Sequence, residues 1–414
     1  MARKFFASGT GLILVSALSL WMGSATAQSK EKTIYAFDLT HGVQPVSGLV
    51  ADSAGNLYGT AYNGGLYPVR RNPCCGTVFE LSRGANGAWS QTVLYAFQGL
   101  ADGSNPFGTM VFDKQGNLYG TDTTGGFEPS SNIFEISKGS NGTWSEKTIY
   151  SIPISQGAVN GDLTLDSEGN IYGTTQDTSS TGGEVFELSL QSDGSWKETV
   201  LYAFSSTFPL GDPIAGVSFD RSGNLYGTTY GSKVGNGGVY ELSRQSNGQW
   251  KPSVLFTFTG GNGGCFPNNK LILDSSGNLY GTTEACENLG VVFELSPGSN
   301  GAWTETVLHA FPAGPSSDGA FPNGTLLFDG SGNLYGTTSA GGLGCNNGSC
   351  GVVYKLAPQS NGTWKETILW QFEAANDGSE PQAGLLLDST GNLFGTAKFG
   401  GSRYGYGTVF EITP

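Results

Sequence analysis

The sequence predicts an all-β chain: a seven-bladed β-propeller of four-stranded blades, with the last blade closed by the N-terminal strand. Three observations predict it. The phrase Asp-x-x-Gly-Asn-Leu-Tyr-Gly-Thr recurs with small variations, its Asp falling at Asp52, Asp113, Asp166, Asp220, Asp274, Asp329 and Asp388. The intervals of 61, 53, 54, 54, 55 and 59 residues are near-constant and of the size that marks propellers or solenoids. Each interval carries four strand signals joined by turns, which is the pattern of a propeller blade.

The strand signals are clear in the second copy. Residues 108–112 are apolar and form strand A, 118–121 form strand B, 132–137 (Asn-Ile-Phe-Glu-Ile-Ser) form strand C, and 148–152 form strand D. The A–B turn is explained by its Asp, whose side chain accepts backbone N–H groups, and by Gly, which takes positive φ. Between C and D, Asn-Gly-x-Trp starts at Asn86, Asn141, Asn247, Asn300 and Asn361, with Asp193 replacing Asn once. Asn-Gly and Asp-Gly favour the type I′ turn of a hairpin. The Trp residues that follow (Trp89, Trp144, Trp196, Trp250, Trp303, Trp364) start strand D and are expected to shield the outer edge of each blade.

Counting these turns predicts the closure. There are seven A–B turns but six C–D hairpins, and the last unit ends at strand C. The missing strand D is at the other end, where 32–37 (Lys-Thr-Ile-Tyr-Ala-Phe) matches 91–97 (Gln-Thr-Val-Leu-Tyr-Ala-Phe). A ring closed by both termini hides edges that would otherwise template aggregation, whereas a linear solenoid needs polar caps.

Composition agrees. Glycine is abundant at 66 of 414 residues, aromatic residues reach 12% and charged residues only 13%. That combination fits short strands and many turns rather than disorder. The net charge of −14 argues against a nucleic-acid partner, because an acidic surface repels phosphate. Residues 1–27 read as a signal peptide: Arg3 and Lys4, an apolar stretch from Leu12 to Met22 too short to span a bilayer comfortably, and Ala25-Thr26-Ala27 as a cleavage site. The expected domains are thus the signal at 1–27 and one propeller at 28–414, exported to the periplasm or outside the cell, with no membrane span and as a monomer.

These motifs resemble the Gloeobacter–Verrucomicrobia-type (GloVer) tandem-repeat family of exported bacterial proteins. The resemblance rests on Asp-Gly-x-x-Pro (Asp102 to Pro106), the seven-fold turn phrase, a Gly-Gly loop and Val-Phe-Glu-Leu, and it covers nearly all of residues 28–414. It implies export and, in many members, a C-terminal surface anchor, which is not expected here. It carries no catalytic motif. At fold level the chain also looks like propellers of the lyase and NHL-repeat kinds, an analogy of fold alone.

Strand direction sorts the connections. The A–B and C–D turns share one face and scarcely vary, while the D–A and B–C connections share the other and differ between copies. Binding sites tend to lie on variable loops held by a rigid scaffold. All six cysteines fall on that face, and an even count in an exported chain reads as a disulfide framework. Cys265, expected at the start of strand A, and Cys286, just after strand B, flank the Asp274 turn almost symmetrically, which brings them into bonding reach. Cys345 and Cys350 close a small loop. Cys74-Cys75 is a vicinal bridge, two free thiols, or bonds to a partner. Zinc on the cysteines lacks Cys-x-x-Cys pairs and histidines, so no metal is assigned.

Chemistry-bearing candidates are few. His309 stands in strand D where other copies have Tyr and reads as structural. His41, in the first D–A connection, is a weak candidate general base. No cofactor is expected; calcium at the seven turn aspartates is the weaker reading, because the turn already explains those residues. The strand C glutamates (Glu80, Glu135, Glu187, Glu241, Glu294, Glu411) recur and are expected to make inter-blade hydrogen bonds or ion pairs, with Lys355 in the sixth copy. Asp102, Asp318 and Asp377 in the D–A connections, with Asn262-Gly263 in another copy, either ring the channel mouth and bind a cation or sugar hydroxyls, or turn the chain before strand A. Features that break the repeat are better site candidates: Tyr67, Arg70 and Arg71, then Phe127 and Glu128, then Arg403, Tyr404 and Tyr406. The first and last sets become neighbours on closure and form one basic-aromatic patch.

Three functions follow. The favoured one is a non-catalytic, exported binding or interaction propeller for a glycan or protein partner, acting through the long-loop face. The second is an extracytoplasmic lyase or hydrolase with its site at the channel mouth. The third is a cell-surface structural repeat protein.

Overall fold

The computed structural model describes residues 29–65, 74–99, 102–125, 130–159, 161–176, 182–205, 207–232, 235–313, 318–343, 345, 350–401 and 404–414. The expected signal peptide lies outside them.

Seven antiparallel sheets form the blades, each ordered A-B-C-D. In blade 1 these strands are Val50–Ala51, Leu57–Ala61, Thr77–Arg83 and Trp89–Ala96. In blade 7, strands A to C are Leu386–Leu387, Leu393–Ala397 and Thr408–Thr413, and strand D is Lys30–Ala36 from the other end of the chain. That last pairing runs antiparallel from Lys30 opposite Thr413 to Ala36 opposite Thr408, so the ring closes as the turn count predicts.

The turns work as their residues dictate. In blade 1, Asp52 Oδ1 accepts the backbone N–H groups of Ala54 and Asn56, both at 2.9 Å, while Oδ2 accepts from Asn56 Nδ2 and Tyr58 Oη. The same contacts recur from Asp113 to Asp329. The Gly of Leu-Tyr-Gly-Thr answers to packing. A Cβ on Gly59 would sit 2.7 Å from Phe79 Cζ, because the ring of the strand C aromatic lies across strand B at that point. Each blade repeats this: Phe79, Phe134, Phe186, Tyr240, Phe293, Tyr354 and Phe410 are all fully buried.

Four local expectations need correction. Strand A is two residues long in six blades, and only Ser104–Phe112 of blade 2 is extended. The cause is crowding at the axis: a Cβ on Gly161 would lie 2.7 Å from the backbone nitrogen of Gly216, so neighbouring inner segments touch before they can run on as a ladder. Cys265 therefore lies in the connection ahead of strand A of blade 5 (Ile272–Leu273), not at its start. The tryptophans wedge between blades instead of covering an outer edge. Trp144 of blade 2 meets Tyr58 of blade 1, Trp196 meets Tyr119, Trp303 meets Tyr226, and Trp89 meets Phe394 of blade 7 edge-on at 6.0 Å. The strand C glutamates mostly face partners in their own blade: Glu241 accepts from Tyr226 Oη at 3.3 Å, and Lys355, in the sixth copy, lies over the Tyr335 ring.

Candidate functional site

A funnel opens on the D–A/B–C face, with a cavity of about 810 Å³ lined by residues of all seven blades. Its floor is the start of each inner segment, one residue ahead of the core positions Leu49, Met110, Leu163, Val217, Leu271, Leu326 and Leu385. Going round, the floor residues are Gly48, Thr109, Asp162, Gly216, Lys270, Thr325 and Gly384. Five are small and two are charged, so the seven-fold repeat breaks here.

Lys270 runs along the floor past Gly216 and places its ammonium 2.7 Å from Thr164 Oγ1. The surrounding protein desolvates it and lowers its pKa, while the Asp162 carboxylate opposes that shift. Asp162 Oδ1 accepts the backbone N–H of Thr109 at 2.7 Å.

One repeated position, which in blade 1 is Gln44 of the cavity lining, has an unusual backbone. Gln44, Asn105, Asp212, Phe266, Phe321 and Glu380 each precede a proline yet have φ between 54° and 64°. Residues before proline prefer extended conformations, and left-handed backbone costs a non-glycine residue about 1–2 kcal/mol. Hydrogen bonds hold the conformation. Each of these six N–H groups donates to a carbonyl of the preceding blade: Tyr406, Cys75, Gly182, Asn236, Leu289 and Cys350, at 2.7–2.9 Å. The backbone is constant while the side chain changes from amide to acid to aromatic. The same inter-blade hydrogen bond in six blades thus fixes this backbone whatever side chain it carries.

The rim and wall side chains are pre-set by one another. Asn63 Nδ2 donates to Gln44 Oε1 at 2.8 Å, and Asn105 Nδ2 donates to Asn63 Oδ1 at 3.0 Å. On the far side, Asn269 donates to Asn268 and Thr282, Asn268 to Asn323, and Asn323 to Ser339, at 2.8–3.0 Å. Apolar faces stand among these amides: Phe399 and the edge-to-face pair Tyr62 and Phe107. Glu284 and Lys398 add charge of both signs, and Lys398 lies 4.0 Å from Glu380. Oriented amides beside aromatic faces suit a ligand rich in hydroxyl groups.

The sequence candidates fall in several places. Tyr67, Arg70, Arg71, Phe127, Glu128 and Arg403 lie outside the described residues. Tyr404 and Tyr406 stack at 5.6 Å, and the Tyr406 carbonyl accepts from Gln44, so the last blade does meet the first. His41 Nδ1 pairs with Asp38 at 2.8 Å on the exposed surface, not among the described residues that line the funnel. Asp102, Asp318 and Asp377 are also off the funnel wall. They sit at the outer boundaries between blades, where Asp102 accepts from Tyr95 Oη at 2.8 Å and Asp377 from Trp370 Nε1 at 3.0 Å. Asp318 takes the equivalent contact from His309 Nε2 at 3.2 Å. The expected bridges Cys265–Cys286 and Cys345–Cys350 are both present, and Cys74 pairs with Cys75.

Asp162, Lys270 and the pre-proline positions were missed because the conspicuous signals were elsewhere. Aligning the seven inner segments on their core leucine would have found the two charges.

Comparison with known proteins agrees with the fold. No curated protein matches the chain. Among solved structures, it is similar to a fungal alcohol oxidase of the AA5 family in complex with copper, at 12% identity and a TM-score of 0.56, covering 93% of this chain and 76% of that one. At such identity the likeness is one of fold. The Gloeobacter/Verrucomicrobia repeat profile matches residues 22–231, 160–363 and 212–414. Seven blades built on one repeat, matched along that length, place this chain in the Gloeobacter/Verrucomicrobia repeat family.

Proposed function

We propose that this chain is an extracytoplasmic binding propeller that takes an oligosaccharide in the funnel of its long-loop face. The observation that carries the reading is the lining of the funnel: the amides of Asn268, Asn269 and Asn323 are already oriented by hydrogen bonds, in a cavity that Tyr62, Phe107 and Phe399 also line. Pre-set hydrogen-bonding groups reduce the ordering cost of binding a polyol, and Tyr62, Phe107 and Phe399 offer apolar faces to a sugar ring. The three disulfides support a location in an oxidising compartment.

A glycan array on the purified chain tests this. The expected result is binding to at least one oligosaccharide class, weakened by Tyr62→Ala and by Asn268→Ala and unchanged by His41→Ala. Binding to no glycan would sink the reading and shift weight to a protein partner. The two charges on the floor, Lys270 and Asp162, support a second reading, an enzyme. Breakdown of a bound glycan that is lost in Lys270→Met and Asp162→Asn would favour it.

A further inference from the structure

The outer strands of adjacent blades meet in a polar box that repeats around the ring. One blade gives the strand D residue opposite the strand C valine or isoleucine just ahead of the buried Phe or Tyr: Tyr35, Tyr95, Tyr150, Tyr202, Phe256, His309 or Trp370. The next blade gives a residue near the start of its own strand D, which is Glu146, Glu198, Glu305, Glu366 or Glu31 in five cases. Tyr150 Oη donating to Glu198 Oε2 at 2.9 Å shows the contact in its simple form. A D–A aspartate completes some of these boxes.

Among the described residues, the boundary between blades 5 and 6 is where this position brings a metal-ligating side chain to the carboxylates. Here the Tyr position holds His309, one of two histidines in the chain. His309 Nε2 lies 3.2 Å from Asp318 Oδ2 and 3.5 Å from Glu366 Oε1, and the three ligand-type atoms all lie within 4.8 Å of one another. In a tetrahedral zinc site with bonds of about 2.0–2.1 Å, neighbouring ligand atoms stand about 3.3 Å apart. Glu366 Oε1 is buried with only the 3.5 Å contact to His309, and the Glu366 carboxyl shares a hydrogen bond with Asp318; a coordinated cation would take the place of the shared proton. Asp318 Oδ1 is held by the Gly319 N–H at 2.8 Å, which fixes the carboxylate with Oδ2 facing His309. The imidazole is set edge-on against Phe311 at 4.7 Å. The three side chains keep 15–18% of their surface exposed, so an ion can enter without unfolding and water can complete its shell.

We propose that His309, Asp318 and Glu366 form a site for a divalent transition metal of the zinc type, separate from the funnel. One imidazole and two carboxylates at these separations suit zinc better than calcium, which takes six to eight oxygen ligands.

The test is calorimetric titration of the chelator-treated full chain with Zn²⁺, and with Co²⁺ for its visible spectrum. The expected result is one equivalent bound, with a tetrahedral cobalt spectrum, and loss of both in His309→Tyr and in Glu366→Gln. His309→Tyr restores the residue found in four other blades and keeps the fold; Glu366→Gln provides a second route should it not. His41→Ala, which removes the chain's other imidazole–carboxylate pair, should leave binding intact. Absence of stoichiometric binding, or binding that persists in both variants, or loss in His41→Ala instead, would overturn the assignment.

Discussion

The ammonium of Lys270 on blade 5 donates to the hydroxyl oxygen of Thr164 on blade 3, passing the intervening Gly216. Thr164 Oγ1 in turn donates to the Val217 carbonyl at 2.6 Å, so one amine ties three blades together beneath the funnel. Burial lowers the pKa of this lysine against the pull of Asp162. With ¹³C-labelled lysine, the Cε resonance that disappears in Lys270→Met should titrate below the ordinary lysine range. Titration within that range would show that the floor does not desolvate the amine.

Tyr240 and Tyr354 occupy the position that is Phe in the other five blades, and both hydroxyls are buried with no hydrogen-bond partner. An unsatisfied buried hydroxyl costs on the order of 1 kcal/mol or more. Tyr240→Phe and Tyr354→Phe should each raise the stability read from urea unfolding by about 1 kcal/mol. A loss in either variant would mean that the hydroxyl is satisfied in solution.

The blade boundaries also store protons. Burial pushes Glu31 and Glu146 up to about 7 and Asp122 up to about 8, outweighing the side-chain hydrogen bonds from Thr33, Thr148 and Asn132. A carboxyl group with a raised folded-state pKa contributes stability below its unfolded value and loses it as pH rises through the folded value. The turn aspartates Asp52, Asp166, Asp274 and Asp388 behave oppositely. Burial opposes their ionisation, but hydrogen bonds hold them below the ordinary value, so their contribution disappears in acid. Melting temperature should therefore peak at mildly acidic pH, near about 5, and fall toward about 8. Glu146→Gln should melt with the wild type at the acidic end and above it at the alkaline end. Equal melting at both ends would remove Glu146 as a source of the slope.

The disulfides differ in what they enclose. Cys265–Cys286 spans 21 residues and Cys345–Cys350 spans 5. Loop entropy assigns about 3 kcal/mol to the first and about 2 kcal/mol to the second. The double variant Cys265→Ser/Cys286→Ser should thus lose more stability in urea than Cys345→Ser/Cys350→Ser; the reverse order would show that native packing, not loop closure, sets the effect.

Much of the ring was legible because its instructions are local. Asp52 through Asn56 write a turn within five residues, and Asn86-Gly87 writes a hairpin within two. The closing strand was readable by counting. What escaped was everything assembled across blades. Trp89 finds Phe394 only after closure, and His309 meets Glu366 only because two outer strands lie side by side. Lys270 and Asp162 sit in inner segments too short to show a strand period. The pre-proline positions escaped for another reason: a proline predicts extended backbone before it, and only the inter-blade hydrogen bonds of Gln44 and its counterparts reverse that preference.

The strand Thr408–Thr413 has neighbours on both sides, Leu393–Ala397 and Lys30–Ala36. The strand Lys30–Ala36 is translated long before its partner, Thr408–Thr413. Until that partner arrives, six blades can form but the seam stays open, with two bare edges facing each other across a gap. Closure therefore hangs on one strand: a chain without Thr408–Thr413 leaves Leu393–Ala397 unpaired on that side and abandons Lys30–Ala36 as well.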